Sequence, residues 1–577
     1  MCGIAVILPG SATKVSPFTI ERMTQALAHR GPDAIASRRL PGCDLGHTRL
    51  SIIDPQNGAQ PMCDSTERYW IVFNGEIYNH RDLRRDLERD GCTFKTNCDT
   101  EVLLQGFIRF GSGIVSRLNG QFAFAVWDAR ERKLFAARDR FGEKPLYWAQ
   151  TAGGDLVIAS EIKSILASGE ISPRIDPTSV DAYIGLFYVP PDRTIYQNIY
   201  VLPPAHRMIW ENGQLTTDRY WTPSFGTSNV SEREAADQTK ILLDRAVQRQ
   251  SIADVPVGAF LSGGLDSSTI VALMSKGASQ PVRSFSVGFG DLIDELPFAR
   301  EVANLYKTDH CEIQMDIDVP AMLETMVDVY DEPFADSSNI PTYLISKAAR
   351  QHVKVVLSGD GGDELFGGYD WYKPLLEQPP RGQWWEQHVG SATSLMFDRR
   401  TLWGKGRQPP AKQVIRQRYR PGENVVEMDQ ATHFDLTCYM PGDILVKVDR
   451  AAMAHGLETR APFLDVELSE WLLSLPWQLR FSSGSLKPLL RSAVSNLWPA
   501  SIRERGKQGF GAPVRDWLQQ PTVAALWNRV AQPNGPLLAL LPGVRNVANE
   551  LRPQRKWTLL CLGLWLERRS ECLASLS

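Results

Sequence analysis

The order of strand-like and helix-like segments changes near the middle of the chain. Residues 1 to about 210 contain short alternating strands broken by turns, such as DLGHTRLSIID, RYWIVFNGEIY and GQFAFAVWDARERKLFAARD. Two helix-like stretches lie among them, near residues 80–90 and 100–110. Runs of strands with few helices between them predict an α+β domain of layered antiparallel sheets.

Strands and helices alternate after a polar, proline-containing stretch near residues 203–230. VPVGAFL, VRSFSVGF, HCEIQMDI and VKVVLSG have the composition of buried strands, while STIVALMS, ELPFAREVANLYKT and PTYLISKAARQH have helical spacing. This alternation predicts an α/β domain with a parallel sheet. We therefore divide the chain into domains at 2–210 and 211–577. Ligands are expected just after VPVGAFL, VRSFSVGF and VKVVLSG, because such sheets bind them outside the carboxyl ends of strands.

Composition excludes several classes of protein. The net charge of the 577 residues is −3, with acids and bases spread along the chain, which argues against binding of nucleic acid or anionic lipid. No apolar stretch approaches the roughly 20 residues of a membrane helix; the run at residues 557–566 predicts a packed terminal helix. The nine cysteines have no CxxC spacing, which predicts free thiols and a cytoplasmic location.

Cys2 follows the initiator Met1 and precedes Gly3. A small second residue favours removal of Met1, which would leave the α-amino group on Cys2. The ordinary pKa values are about 7.7–8.0 for an α-amino group and about 8.5 for a thiol. An amine of this kind can act as the base for its own nucleophile, so Cys2 is a candidate catalytic nucleophile.

Five segments in the first half occur together and in order: MCGI, HRGPD at 29–33, RLSIID at 49–54, NGEIYN at 74–79 and DTE at 99–101. This set resembles the class II, N-terminal-nucleophile glutamine amidotransferases. The resemblance implies that Asn74 and Gly75 form an oxyanion hole, where one donor is worth about 10²–10³ in rate. It also implies a glutamine site formed by Arg49, Leu50, Ser51, Ile52, Ile53, Asn74, Gly75, Glu76 and Asp99.

Each of these residues also has a structural interpretation. Arg49 could be a surface strand residue. Asn74-Gly75 is a frequent hairpin turn. Asp99 could be the N-cap of the helix that starts with Thr100 and Glu101.

VPVGAFL runs into the loop SGGLDSS and then a helix. Glycine backbone N–H groups, serine hydroxyls and a helix N-terminus form a cradle for phosphate oxygens. The loop lacks the GK[ST] ending of the Walker motif and resembles the loop of the ATP pyrophosphatase superfamily. The resemblance implies an ATP site at Leu261, Ser262, Gly263, Gly264, Asp266, Ser267, Ser268, Val287, Ser358 and Gly359. It further implies Mg²⁺ ligands at Asp266 and Asp363. In the alternative interpretation, Asp360, Asp363 and Glu364 form an acidic turn that caps a helix.

The two halves together resemble the glutamine-hydrolysing asparagine synthetases over residues 1 to about 515. The matching segments include 331–343, 447–465 and 485–491. The resemblance implies that ATP adenylates a carboxylate, that ammonia from glutamine reaches it through an internal tunnel, and that Lys487 stabilises charge on the phosphates. Asp360 stands where well-known members have Glu, at the position that acts on the acyl-adenylate.

Several points stay open in the sequence. Aspartate is the expected acceptor, but the shorter Asp360 and the unassigned stretch 370–430 leave a sugar uronate or a peptide carboxylate as the alternative. Arg450 and Arg460 could line the acceptor pocket or pair with Asp449 and Glu458. The Lys507-Gln508-Gly509-Phe510 segment resembles other bacterial members and has no assigned role, and a homodimer is neither required nor excluded.

Overall fold

The computed structural model of the protein describes residues 1–10, 18–288, 295–315, 317–377, 384–404, 409–419, 425–506, 511–547 and 551–569. The segment 507–510 singled out in the sequence lies outside the described residues. In the described part, no helix is long and apolar enough to cross a membrane. The eight cysteines in this part are free thiols, as expected.

Twelve strands form the two sheets of the first domain. They are β1 (Gly3–Leu8), β2 (Ala34–Leu40), β3 (Cys43–Arg49), β4 (Met62–Cys63), β5 (Tyr69–Ile77), β6 (Gly120–Asp128), β7 (Lys133–Arg138), β8 (Tyr147–Gln150), β9 (Leu156–Ala159), β10 (Tyr200–Val201), β11 (His206–Glu211) and β12 (Gln214–Arg219). One sheet has the order β10-β8-β9-β1-β3-β2 and the other β12-β11-β7-β6-β5-β4. All their pairings are antiparallel, which confirms the predicted layered domain.

The two sheets pack face to face, because alternate residues of their strands are apolar and point inward. Val6 of β1 and Val72 of β5 belong to the same buried cluster between them. Helices cover the outer faces: α1 (Thr19–Gln25), α2 (His80–Arg89), α3 (Asp99–Phe110), α4 (Ile162–Ala167) and α5 (Pro177–Leu186). The two helices predicted near residues 80–90 and 100–110 are therefore confirmed as α2 and α3, which pack on the second sheet.

The hairpin β11–β12 crosses the expected domain division. Glu211 pairs with Gln214 and His206 with Arg219, so a division between residues 210 and 211 would separate two hydrogen-bonded strands. We move the division to the segment after Arg219. The first helix of the second domain begins after Ser231, whose hydroxyl accepts a hydrogen bond from the N–H of Glu234 in a capping box.

A five-stranded parallel sheet forms the centre of the second domain. Its strands are β13 (Val257–Phe260), β14 (Arg283–Gly288), β15 (Asp309–Gln314), β16 (Val355–Leu357) and β17 (Glu458–Arg460), in the order β15-β14-β13-β16-β17. The four strands expected from the sequence are present and parallel. The fifth, β17, pairs with β16 and was not predicted.

Helices surround this sheet and form the rest of the domain. They are α6 (Glu232–Gln250), α7 (Leu265–Gly277), α8 (Leu296–Tyr306), α9 (Val319–Tyr330), α10 (Asn339–Ala349), α11 (Gly362–Phe366), α12 (Lys373–Glu377), α13 (Trp384–Ala392), α14 (Arg400–Trp403), α15 (Ala411–Tyr419), α16 (Glu427–Phe434), α17 (Leu445–Met453), α18 (Val466–Ser474), α19 (Trp477–Arg480), α20 (Pro488–Val494), α21 (Ala500–Glu504), α22 (Val514–Trp517), α23 (Pro521–Val530), α24 (Pro536–Leu540), α25 (Val544–Val547) and α26 (Pro553–Arg568). A π-helical stretch, Asp435–Ile444, joins α16 to α17.

Residues 370–430, which the sequence left unassigned, and residues 557–566, which it predicted as a terminal helix, are helical where the structure describes them. The described parts of residues 370–430 form short helices, and Trp384 and Trp385 of α13 are fully buried. The apolar run at residues 557–566 lies within α26, where every residue from Trp557 to Leu566 is buried. The predicted terminal helix is therefore confirmed, and it packs in the same cluster as α9 and α23.

Candidate active sites

The first candidate site lies at the start of β1. The backbone N–H of Cys2 donates to Asn74 Oδ1 at 2.9 Å. The other end of this amide, Asn74 Nδ2, is buried and has no hydrogen-bond partner among the described residues. Buried amide donors are rarely left without a partner, so the unpaired Asn74 Nδ2 is available to a ligand bound beside Cys2.

Gly75 follows Asn74 inside β5, where the pair lies opposite Ala123 and Phe122 of β6. The hairpin-turn interpretation of Asn74-Gly75 is therefore wrong. A Cβ atom on Gly75 would stand 2.1 Å from the Gln121 carbonyl oxygen, and the φ of Gly75 is +155°. Only glycine tolerates both the positive φ and the close approach to the Gln121 carbonyl. Gly75 therefore lets β5 lie close to β6 near Cys2.

Most of the predicted glutamine-site residues line one small pocket of about 30 Å³. Its walls include Cys2, Arg49, Leu50, Ile52, Ile53, Gly75, Glu76 and Asp99. Ser51 and Asn74 do not line it; the N–H of Ser51 donates to Asp33 at 2.8 Å. Arg49 ends β3, and the carbonyls of Asp54 and Pro55 accept from its guanidinium at 2.9 and 2.7 Å, which orients the side chain.

Two buried carboxyls, Glu76 and Asp99, stand side by side in this pocket. Burial and the neighbouring Asp99 raise the pKa of Glu76 well above its usual range, and burial raises the pKa of Asp99. Asp99 is the first residue of α3 and accepts from the N–H of Ile77 at 3.0 Å, so it does not cap its own helix. Two desolvated carboxyls of this kind favour a cationic group between or beside them.

The amino terminus is buried at the same place. Met1 is 1% exposed and lies in the pocket wall, and its ammonium pairs with Glu458 Oε2 of β17 at 2.8 Å. Burial raises the pKa of the Cys2 thiol. The amino-terminal end therefore faces the second domain, not solvent.

The second candidate site is a cleft of about 980 Å³ at the carboxyl ends of the parallel strands. Nearly all predicted ATP-site residues line it: Leu261, Ser262, Gly263, Gly264, Asp266, Ser267, Val287, Ser358 and Gly359. Ser268 does not line it; it is buried in α7. The cleft therefore lies where the parallel-sheet rule places a ligand.

The SGGLDSS loop connects β13 to α7 in a turn that depends on Gly263. A Cβ atom there would lie 2.6 Å from Phe298 Cβ, and the φ of Gly263 is +68°. The N–H of Gly264 donates to Ser262 Oγ at 3.3 Å, and Ser262 Oγ lies 3.1 Å from Ser267 Oγ. The loop thus folds over the first turn of α7, whose N-terminus faces the cleft.

Three charged side chains converge at this loop. Lys487 Nζ pairs with Asp266, and it also pairs with Asp363 Oδ1 at 2.6 Å. The two carboxylates come from α7 and α11 and share the Lys487 ammonium. Carboxylate oxygens are also the kind of ligand that Mg²⁺ prefers. Among the described residues, no three or more His, Cys, Asp or Glu side chains form a metal site by themselves.

Asp360 lies between this cleft and the domain interface. Its carboxyl accepts from Ser358 Oγ at 2.6 Å, and burial raises its pKa. Asp360 lines the cleft, and it also lines a cavity of about 10 Å³ whose other walls include Glu143 and Lys144 of the first domain and Arg460. Asp360, with Ser358 and Val448, therefore borders both the cleft and the domain interface.

Arg450 and Arg460 are interface residues. Arg460 pairs with Glu458 at 2.7 Å and with Glu76 of the first domain at 3.0 Å. Arg450 pairs with Glu161 of the first domain at 2.8 Å. Neither arginine lines the cleft in the part of the chain that the structure describes, and the predicted pairing of Arg460 with Glu458 is confirmed.

Sequence reasoning missed four charged residues at the two sites. Glu458 reaches the amino terminus, and Asp336, Asp443 and Lys447 line the cleft. Three of them lie in the segments 331–343 and 447–465, which carried the family resemblance without an assigned role. The fourth, Asp443, precedes Lys447 by one helical turn, a spacing that brings two side chains together.

Two antiparallel sheets with a buried cysteine at position 2, followed by a parallel sheet with a cleft at the carboxyl ends of its strands, form a two-domain protein of the glutamine amidotransferase class. Residues 1–221 match the family described as glutamine amidotransferase domain, and residues 238–567 match the family described as asparagine synthase. The chain belongs to the glutamine-hydrolysing asparagine synthetase family.

Relatives cover nearly the whole chain. Asparagine synthetase (glutamine-hydrolyzing) 1 of Bacillus subtilis is 33% identical over 565 residues, which cover 90% of this chain and 88% of that protein. A putative asparagine synthetase (glutamine-hydrolyzing) of Mycobacterium tuberculosis is 32% identical over 634 aligned positions, covering 98% of this chain and 97% of that protein. The Cricetulus griseus asparagine synthetase is 29% identical over 543 residues, covering 88% and 84%.

Proposed function

We propose that this protein makes asparagine from aspartate, glutamine and ATP. The first domain releases ammonia from glutamine. In the second domain, the side-chain carboxylate of aspartate attacks the α-phosphate of ATP, which releases pyrophosphate and forms an acyl-adenylate. Ammonia then attacks the acyl carbon and displaces AMP. The observation that carries the proposal is the position of Asp360, which forms a wall of the nucleotide cleft and of the cavity at the domain interface.

The residues around Cys2 support glutamine hydrolysis. Asn74 Nδ2 is a buried donor with no hydrogen-bond partner in the described part of the chain, and it would bind the oxyanion that forms when the thiolate attacks the side-chain amide. The desolvated carboxyls of Glu76 and Asp99 would bind the α-ammonium group of glutamine. Arg49 would bind the α-carboxylate through its guanidinium fork.

Removal of Met1 is part of this proposal. Met1 occupies a wall of the glutamine pocket, which at about 30 Å³ is too small for a glutamine molecule. Without Met1, the α-amino group would belong to Cys2 and could accept the thiol proton. Glu458, which now pairs with the Met1 ammonium, would remain within the same pocket.

Residues of the cleft support the ATP-dependent half. The backbone of the SGGLDSS loop would bind phosphate oxygens, and Lys487 would stabilise negative charge on the departing pyrophosphate. Mg²⁺ held by Asp266 and Asp363 would supply charge neutralisation of the triphosphate. Asp360 would act on the acyl-adenylate at the point where ammonia arrives from the interface.

The route of ammonia follows buried residues. Glu458 lines the glutamine pocket, Arg460 lines the interface cavity, and both belong to β17. An enclosed route has a chemical reason, because free ammonia in water is mostly protonated at neutral pH and so cannot attack. We propose that ammonia passes beside β17 to Asp360.

The decisive experiment is a product assay. Purified full-length protein with glutamine, ATP-Mg²⁺ and aspartate should give asparagine, AMP and pyrophosphate in equal amounts. Glutaminase activity without aspartate-dependent AMP would contradict the proposal. The sugar uronate and peptide acceptors left open by the sequence gain no support from the relatives, which are named as asparagine synthetases.

The cellular setting is part of the proposal. The eight free thiols of the described residues suit a reducing compartment, and we place the protein in the cytoplasm, with small molecules and not nucleic acid or membrane as its partners. The homodimer considered from the sequence stays a prediction, which sedimentation of the purified chain would measure.

A further inference from the structure

A second polar cluster lines the cleft, formed by Asp336, Ser338, Asp443 and Lys447. Lys447 Nζ donates to Asp336 Oδ2 at 2.8 Å and to Ser338 Oγ at 2.9 Å. These side chains come from the loop before α10, the π-helical stretch and α17. Three separate elements therefore bring two carboxyls and one ammonium to the same wall.

Asp443 hydrogen-bonds to Asp336 through one carboxyl oxygen only. It is 6% exposed, and its Oδ1 has no hydrogen-bond partner among the described residues. Burial and the adjacent Asp336 raise the pKa of Asp443 well above its usual range. A buried, unsatisfied polar atom is costly, and this one belongs to a residue that lines the cleft.

The cluster adjoins the reacting centre of the proposed function. The charge of Lys447 lowers the pKa of Asp360, whereas burial, the larger effect, raises it. Lys447 therefore lies close enough to Asp360 to interact with it, while Asp336 and Asp443 lie beside Lys447. An acceptor whose carboxylate reacts near Asp360 would place its other polar groups against this cluster.

We propose that Asp336 and Asp443 bind the α-ammonium group of the acceptor amino acid. When both carboxyls are ionised, they and Lys447 sum to one negative charge, which an ammonium group neutralises. The ammonium would also give Asp443 Oδ1 a donor. This inference rests on the proposed function and narrows its acceptor to carboxylates that carry a nearby ammonium group, a class that excludes sugar uronates.

The test compares Asp443→Asn with wild type in AMP formation, with added ammonia as the nitrogen source. The substitution keeps the shape of the side chain and removes its charge. We expect the KM for aspartate to rise about 10- to 100-fold, with the KM for ATP and the glutaminase rate within about twofold of wild type. Asp443→Glu should recover part of the loss.

Succinate and a matched variant separate binding of the ammonium group from structural damage. Succinate carries both carboxylates of aspartate without the ammonium, so its inhibition constant against aspartate should not rise in Asp443→Asn. Asp328→Asn removes an equal charge at an exposed position that pairs with Arg568 at 3.0 Å and should leave the KM for aspartate unchanged.

Three results would overturn the inference. The first is an unchanged KM for aspartate in Asp443→Asn, and the second is an equal weakening of ATP and glutamine use. The third is AMP formation with a uronate in place of aspartate. Absence of aspartate-dependent AMP in the wild type would instead overturn the proposed function, and this inference with it.

Discussion

Replacing Asn74 by Asp isolates the oxyanion donor from the rest of the glutamine site. Asn74 Oδ1 accepts from the N–H of Cys2 at 2.9 Å, while its Nδ2 has no hydrogen-bond partner among the described residues. An aspartate would keep the acceptor for Cys2 and the shape of the side chain. It would replace the donor by an oxygen, next to the place where negative charge develops.

The expected loss follows from that single donor. One oxyanion-hole donor is typically worth about 2.7–4 kcal/mol, or about 10²–10³ in kcat. We therefore expect Asn74→Asp to lower the glutaminase kcat by at least about 10²-fold. Asn74→Ala, which also removes the acceptor for Cys2, should lose at least as much.

The assay measures glutamate released from glutamine and, separately, AMP formed with added ammonia. The ammonia-dependent rate should stay within about twofold of wild type in both variants, which shows that the second domain is intact. Asn212→Asp makes the same chemical change in the exposed turn after β11 and serves as the control. A glutaminase kcat within threefold of wild type in Asn74→Asp would refute the assignment of the donor.

Three further outcomes are expected. Cys2→Ala should abolish glutamine use and leave ammonia-dependent synthesis; equal loss of both activities would contradict the division of labour between domains. Asp266→Asn, which removes a charge paired with Lys487, should stop AMP formation and spare glutaminase activity. AMP formation at the wild-type rate in this variant would contradict the assignment of Asp266 as a metal ligand. Burial raises the pKa of Glu332 to about 8 from an ordinary 4.5, so the folded chain binds the extra proton. Its contribution to stability should be lost as pH rises from about 4.5 through 8, and Glu332→Gln should flatten that part of the melting profile.

The elements of both domains could be predicted where periodicity and apolar runs decide the structure. Four of the five parallel strands are apolar runs between turns, and helices α2 and α3 of the first domain have helical spacing. The fifth strand could not be found, because its three residues are Glu458, Thr459 and Arg460. Two buried charges in a strand are stable only with partners, and those partners, Glu76 and the amino terminus, lie more than 380 positions away in the chain.

Some residues of the candidate sites could likewise be predicted from the sequence, and others could not. Cys2, Asn74 and the SGGLDSS loop are short local patterns whose chemistry can be read from neighbouring residues. Asp336 and Lys447 acquire a role only when α17 is packed against α10, which places their side chains 2.8 Å apart. No local pattern indicates which of the many acids of the chain will lie in a cleft.

Strand β17 also joins the two sites through direct contacts. At one end, Glu458 pairs with the amino terminus; at the other, the side chain of Arg460 holds Glu76 and its carbonyl accepts from the N–H of Ser358 at 2.9 Å. Ser358 in turn donates to Asp360. A change in charge at the pocket beside Cys2 would act on Glu458 and Glu76, which contact the strand whose Arg460 carbonyl accepts from Ser358. The residues that connect the pockets are therefore also the residues that would let one pocket sense the other.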